Sequence, residues 1–169
     1  HDLWGEPDSE AWRELIGPVR HVVDMGALRL LLFQDIKRVA TGWRARMSDA
    51  DAAWLEDQLS AWPPGRSVVA FHAPLLATAG GFHDCWAESN AADFLDVLAR
   101  HRVSALVTGH WHRVGEWSVS GLRLINSGSL AGWQWTGIPP YLSFPVRPGY
   151  RLFHYESGEL KTGMRRSAA

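Results

Sequence analysis

Cysteine and long hydrophobic runs are both scarce in this sequence. Cys85 is the single cysteine, so an internal disulfide is excluded and sulfur chemistry indicates no compartment. The longest apolar stretch, around Leu30 to Phe33, is far shorter than the roughly 18 apolar residues that a membrane-spanning helix needs. We therefore expect a soluble chain that does not enter a membrane, and the cytoplasm is the favoured compartment.

An excess of charge of one sign is also missing. The 169 residues include 17 Lys and Arg against 18 Asp and Glu, which gives a formal net charge of −1. Such a balanced surface creates no field that would gather polymeric nucleic acid or an anionic membrane. Neither Gly-x-x-x-x-Gly-Lys nor Gly-x-Gly-x-x-Gly occurs, so the common phosphate-loop and dinucleotide-binding classes are not predicted.

The residues that are present can build one globular domain. A hydrophobic fraction of 46% supports a substantial core, and we treat 1–169 as a single domain in which 161–169 is a flexible tail. β-prone runs on either side of Asp24-Met25-Gly26 predict a hairpin. Ser48 followed by Asp51 predicts the start of an amphipathic helix, which ends at the Pro-Pro-Gly sequence after it.

Histidines follow two apolar runs that are typical of buried strands. His72 comes directly after 67–71, and His110 and His112 come shortly after 103–108. A second predicted helix separates the two runs, which is the order of elements expected for an α/β sheet. In open α/β sheets ligands bind at the carboxyl ends of the strands, so we expect these three imidazoles at a common rim.

Three histidines at two strand ends indicate a metal site. Neutral imidazole suits zinc, iron and manganese among others, so the ligand type selects no metal. Residues two apart on an extended segment point to opposite sides, so His110 and His112 would address two adjacent ions unless the loop bends. Gly109 is expected to permit a sharp turn out of the strand. Three histidines could instead hold a single zinc with an open water position.

Several motifs together resemble the calcineurin-like metallophosphoesterase superfamily over nearly the whole chain. The matching stretches are His1-Asp2, 53–59, Val68-Val69-Ala70-Phe71-His72-Ala73-Pro74, Gly109-His110-Trp111-His112 and Asn126-Ser127-Gly128-Ser129. The resemblance implies an α/β fold, a partial two-sheet sandwich with flanking helices.

The resemblance also implies a set of roles. His72 and His110 would share one ion and His112 would bind its neighbour, with Mn, Fe or Zn as the two metals. His1 would contact the phosphate and assist the leaving group. The implied function is a metal-dependent phosphoester hydrolase, a phosphodiesterase or phosphatase, that acts by two-metal activation of water.

An aromatic segment indicates the substrate class. Gly132 to Gly149 is predicted to be an irregular loop, and it carries Trp133 and Trp135. These rings, with Trp111 between two proposed ligands, could stack on a base or another flat leaving group, or equally cover the core. We expect a small phosphate ester, with a nucleotide-like diester favoured.

The sequence departs from the family in one large respect. The Asp-x-His and Gly-Asp elements that supply carboxylate ligands have no counterpart between Asp2 and His72. Two cations without a bridging carboxylate would repel each other strongly. The alternatives are therefore a non-catalytic binding or scaffold domain, or a chain that needs an N-terminal partner segment. An open sheet edge would also permit a homodimer.

Overall fold

A computed structural model describes residues 14, 17–39, 42–75, 91–110, 112, 114–128, 130, 133–135, 143–145 and 147–166. At 37–39, 42–44, 133–135 and 143–145 the backbone alone is described. Of the helices in these ranges, none combines the length and the apolar character needed to cross a membrane.

Strands dominate the described part of the chain. The elements in chain order are β1 (Arg20–Met25), β2 (Leu28–Phe33), β3 (Ile36–Val39), β4 (Gly42–Ala45), α1 (Asp49–Ser60), β5 (Ser67–Ala70), α2 (Ala91–Arg100), β6 (Ala105–Thr108), β7 (Val114–Val119), β8 (Leu122–Ser127), β9 (Trp133–Trp135), β10 (Ser143–Pro145), β11 (Gly149–Glu156) and β12 (Glu159–Arg166).

Six of these strands form a mixed sheet in the order β1-β2-β5-β6-β8-β7. The four central strands run parallel, and antiparallel partners β1 and β7 close the two sides. Parallel strands place their carboxyl ends at one edge, so the segments that follow β2, β5, β6 and β8 meet there. The hairpins β3–β4, β9–β10 and β11–β12 form three further two-stranded sheets.

Local signals account for the first hairpin and for α1. Gly26 has φ +73°, a conformation that glycine adopts without steric cost, and it turns the chain between β1 and β2 as predicted. Ser48 and Asp51 form the predicted capping box, in which each side chain bonds the backbone N–H of the other. Arg20 donates two hydrogen bonds to Asp51, which ties β1 to the start of α1.

Apolar side chains cover both faces of the central sheet. Leu31, Val69 and Leu106 belong to the larger core cluster, which includes residues of α1 and α2. Their neighbours on the opposite face, such as Val68 and Ala105, pack in a second cluster with a residue of β12. Helices thus cover one face and a hairpin covers the other, and the predicted α/β class is confirmed.

Two predicted irregular segments contain strands. The tail predicted at 161–169 is wrong as far as Arg166, because Lys161 to Arg166 belong to β12 and pair with β11. Alternating exposed and half-buried residues along that strand explain why its sequence carries so weak an apolar signal. The irregular loop predicted at 132–149 contains the antiparallel pair β9–β10, whose strands have three residues each.

An ion-pair cluster between the helices predicts a pH-dependent stability. Glu56 of α1 pairs with His101 at 2.7 Å and with Arg100 at 2.9 Å. The hydrogen bond from His101 holds the pKa of Glu56 below its ordinary value; burial opposes this shift and Arg100 adds to it. A carboxyl with a depressed folded-state pKa contributes stability above its unfolded pKa and loses it as pH falls through the folded value.

We therefore expect Glu56→Gln to lower the free energy of unfolding at neutral pH by about 0.2–1 kcal/mol, since the cluster is largely exposed. The difference from the wild type should vanish in acid, once Glu56 is protonated. Urea denaturation across pH measures it, with the neighbouring exposed Asp57→Asn as control. A destabilisation that stays constant down to acid pH would contradict this assignment.

Candidate metal site

Two strand ends place the predicted histidines side by side. The ladder between β5 and β6 continues past the strands, since the N–H of Phe71 donates to the carbonyl of Val107 at 3.2 Å. One step further, the N–H of Gly109 donates to the carbonyl of His72 at 2.9 Å. His110 follows directly, so the backbones that carry His72 and His110 are bonded to each other.

The two imidazoles face each other at close range. Nε2 of His72 lies 3.1 Å from Nδ1 of His110, and the ring centroids are 5.0 Å apart at an interplanar angle of 73°. Without an ion, one of these nitrogens carries the hydrogen and the other accepts it. This geometry places the two residues together at the sheet edge, where the sequence predicted them.

The spacing of the pair fits a shared metal ion. Zinc binds imidazole nitrogen at about 2.0–2.1 Å, so two nitrogens on one ion stand roughly 2.9–3.4 Å apart for angles between 90° and tetrahedral. The 3.1 Å separation lies within that interval.

The loop that carries His110 and His112 is bent rather than extended. His110 has φ +65° and His112 has φ +53°, a left-handed conformation that histidine adopts more readily than most residues. From the sequence, the two side chains are expected to point to opposite sides if the segment is extended. The segment is not extended, so that expectation does not apply. The sharp turn expected at Gly109 occurs at His110 instead.

Electrostatics favour a neutral His72. His72 is an exposed residue, yet protein atoms around its ring displace enough water to lower its pKa. The carboxylate of Asp35 opposes this shift, and the charge on His112 adds to it. Neutral imidazole is the form that binds metals.

Two polar residues that sequence reasoning gave no role hold the site from behind. Asp35 is 1% exposed and accepts hydrogen bonds from the backbone at His72 and Ala73. Asn126 is fully buried and its Nδ2 donates to the carbonyl of Gly109 at 2.6 Å. Asn126 lay within a motif already singled out, and Asp35 follows β2 at the same sheet edge, which was the available signal.

Other proposed site residues have a mixed status. Within the described ranges no three His, Cys, Asp or Glu side chains form a group that could hold a metal. His1 and Trp111 lie outside those ranges, and for Trp133 and Trp135 only the backbone of β9 is described. Two-metal binding and substrate stacking therefore stay predictions.

Among known proteins, only solved structures are similar to this chain. No protein-family model matches the sequence, and neither does any curated protein. The structure is similar to GAP50, the anchor in the inner membrane complex of Plasmodium, with 14% identity and a TM-score of 0.57 over 86% of this chain and 47% of that one.

Weaker similarities extend to two further proteins. Vps29 of Entamoeba histolytica, solved with Zn²⁺, has 15% identity and a TM-score of 0.32 over 87% of this chain and 59% of that one. A predicted phosphoesterase of Streptococcus pneumoniae has 10% identity and a TM-score of 0.29, over 95% of this chain and 76% of that chain.

The similarity to GAP50 shows a shared fold and no more, because the identity is low. The chain spans between 47% and 63% of the length of the three solved structures that match it first.

Metal titration tests the pair directly. We expect the wild type to bind Zn²⁺ and His110→Ala to lose more affinity than the about 10- to 100-fold typical for residues that merely orient ligands, because a nitrogen ligand is removed. Isothermal titration measures both. His154→Ala serves as the control, since that imidazole is 68% exposed on the β11–β12 hairpin. Equal zinc affinity in all three proteins would exclude the pair as a binding site.

Proposed function

We propose that this chain supplies the histidine ligands of a metal-dependent phosphoester hydrolase. The observation that carries the proposal is the 3.1 Å approach of His72 Nε2 to His110 Nδ1 at the carboxyl edge of the parallel strands. In this proposal the pair holds one divalent ion and His112 serves a neighbouring one. Mn, Fe and Zn are the candidate metals.

Each part of the site has a separable role in this proposal. When bound, the ions supply Lewis acidity and lower the pKa of coordinated water. The protein holds two neutral imidazoles in place and fixes the loops that carry them. Further support comes from the resemblance of the His-x-Pro and Gly-His-x-His motifs and from the fold shared with GAP50.

Residues outside the pair complete the proposed reaction. His1 would contact the phosphate and stabilise the departing oxygen. Trp111, Trp133 and Trp135 would flank a small phosphate ester, and an aromatic surface favours a nucleotide-like diester over a simple monoester. The proposed setting is a soluble enzyme, alone, as a homodimer or joined by an N-terminal segment that brings carboxylate ligands.

A non-catalytic binding or scaffold module is the second candidate. The observation that favours it is the lack, within the described ranges, of any third His, Cys, Asp or Glu grouped with the pair. Asp35, which is close to His72 in space, directs both carboxylate oxygens at backbone N–H groups. Such a module would use the same surface for binding without turnover.

Hydrolysis assays separate the two candidates. We expect the protein, supplied with Mn²⁺ or Zn²⁺, to hydrolyse bis(p-nitrophenyl) phosphate faster than p-nitrophenyl phosphate. His72→Ala should reduce kcat/KM by about 100-fold or more, roughly 2.7 kcal/mol, because a metal ligand is lost. His154→Ala should retain full activity.

Each failure has its own meaning. Metal binding without turnover of either substrate would favour the scaffold. Faster hydrolysis of the monoester would reverse the preferred substrate class while leaving the enzyme assignment in place.

A further inference from the structure

A buried carboxylate lies directly behind the histidine pair. Asp35 follows β2 by two residues and is 1% exposed. Its Oδ1 accepts the N–H of His72 at 3.0 Å, and its Oδ2 accepts the N–H of Ala73 at 2.8 Å. Its own carbonyl accepts the N–H of Arg46 at 2.9 Å, which anchors Asp35 to the chain after β4.

The turn after β5 creates the need for such an acceptor. Ala73 and Leu75 are 0% and 2% exposed, so the turn is buried from Ala73 onward although His72 itself is exposed. Phe71 provides the last N–H on the β5 side that donates to the β5–β6 ladder, so the N–H groups of His72 and Ala73 need another acceptor. A buried N–H left unsatisfied is destabilising, and a carboxylate acceptor gives it a strong, charge-assisted hydrogen bond.

We propose that Asp35 is the positioning residue of the histidine pair. The carboxylate of Asp35 accepts hydrogen bonds from two consecutive N–H groups, which fixes the orientation of the peptide planes at His72. The carbonyl of His72 then accepts the N–H of Gly109, which precedes His110. One buried side chain thereby determines the positions of both imidazoles. This inference rests on the proposed function, because it assumes that the pair holds a metal.

Asp35→Asn isolates the effect at constant size. An amide offers one acceptor oxygen, so one of the two N–H groups would face an NH₂ donor and the turn would shift. We expect zinc affinity to fall by about 10- to 100-fold, the usual effect of removing a group that orients a metal ligand. Competition with a chromogenic chelator measures it. In the metal-free protein, long-range ¹H–¹⁵N spectra should show displaced imidazole signals for His72 and His110.

A matched control separates positioning from general stability. Asp51 is also buried, at 2% exposed, and it is held by Ser48 and Arg20 at the start of α1, outside the turn after β5. Asp51→Asn should lower the free energy of unfolding in urea while leaving zinc affinity and the imidazole signals unchanged. Asp24→Asn, at an exposed carboxylate that pairs with Arg29, should leave zinc affinity and the imidazole signals unchanged.

The outcomes distinguish this inference from the proposed function. Wild-type zinc affinity in Asp35→Asn, or a loss no larger than in Asp51→Asn, would refute the positioning role. If the wild type binds no zinc, the proposed function fails, and unchanged imidazole signals in Asp35→Asn would then refute positioning independently.

Should Asp35→Asn not fold, Asp35→Glu keeps the charge and both oxygens but moves them by one methylene. Full zinc affinity in Asp35→Glu would refute the inference equally.

Discussion

The parallel pairing of β5 with β6 is the constraint on which the candidate site depends. Ala70 stands opposite Val107 in that register, so β6 ends one residue beyond β5 and the residues that follow both strands meet at one edge. A slip of one residue would turn every side chain to the other face of the sheet. The core prevents it, because Val69 faces the helices and Val68 faces the hairpin. The same alternation that builds the core therefore aligns the histidines.

Beneath the site, aromatic packing anchors the strands that lead into it. Phe33 and Phe71 lie with ring centroids 5.2 Å apart, and Phe94 of α2 contacts both. Phe33 precedes Asp35 by two residues and Phe71 precedes His72 by one. The polar contacts of the site thus lie next to an apolar cluster. The low dielectric constant there strengthens hydrogen bonds and makes unpaired polar groups costly.

Sequence alone predicted the parts of this protein that local chemistry determines. Gly26 and the Ser48 capping box act within a few residues. Histidines that directly follow apolar runs predict a site at the edge of the sheet, because ligands bind where the strands end. Asp35 escaped notice because its partner lies 37 residues further along and nothing local distinguishes it from a surface aspartate. The positive φ at His110 was not predicted, because the local sequence favoured the neighbouring Gly109 as the turning point. Three-residue strands such as β9 and β10 offer too short a run for periodicity to register.

Charge balance sets how many ions the described residues can hold. Imidazole is a neutral ligand, so a divalent ion bound by His72 and His110 keeps its full charge. Two such ions about 4 Å apart would repel by roughly 17 kcal/mol at an effective dielectric constant of about 20. Asp35 lies nearby, but its oxygens are committed to backbone N–H groups and cannot bridge the ions without releasing the turn that carries His72. Under the proposed function the described residues therefore offer two imidazole ligands to one ion, and a second ion would require carboxylates from elsewhere. The hydrolase and the scaffold share the same histidine pair and differ only in whether those carboxylates complete it.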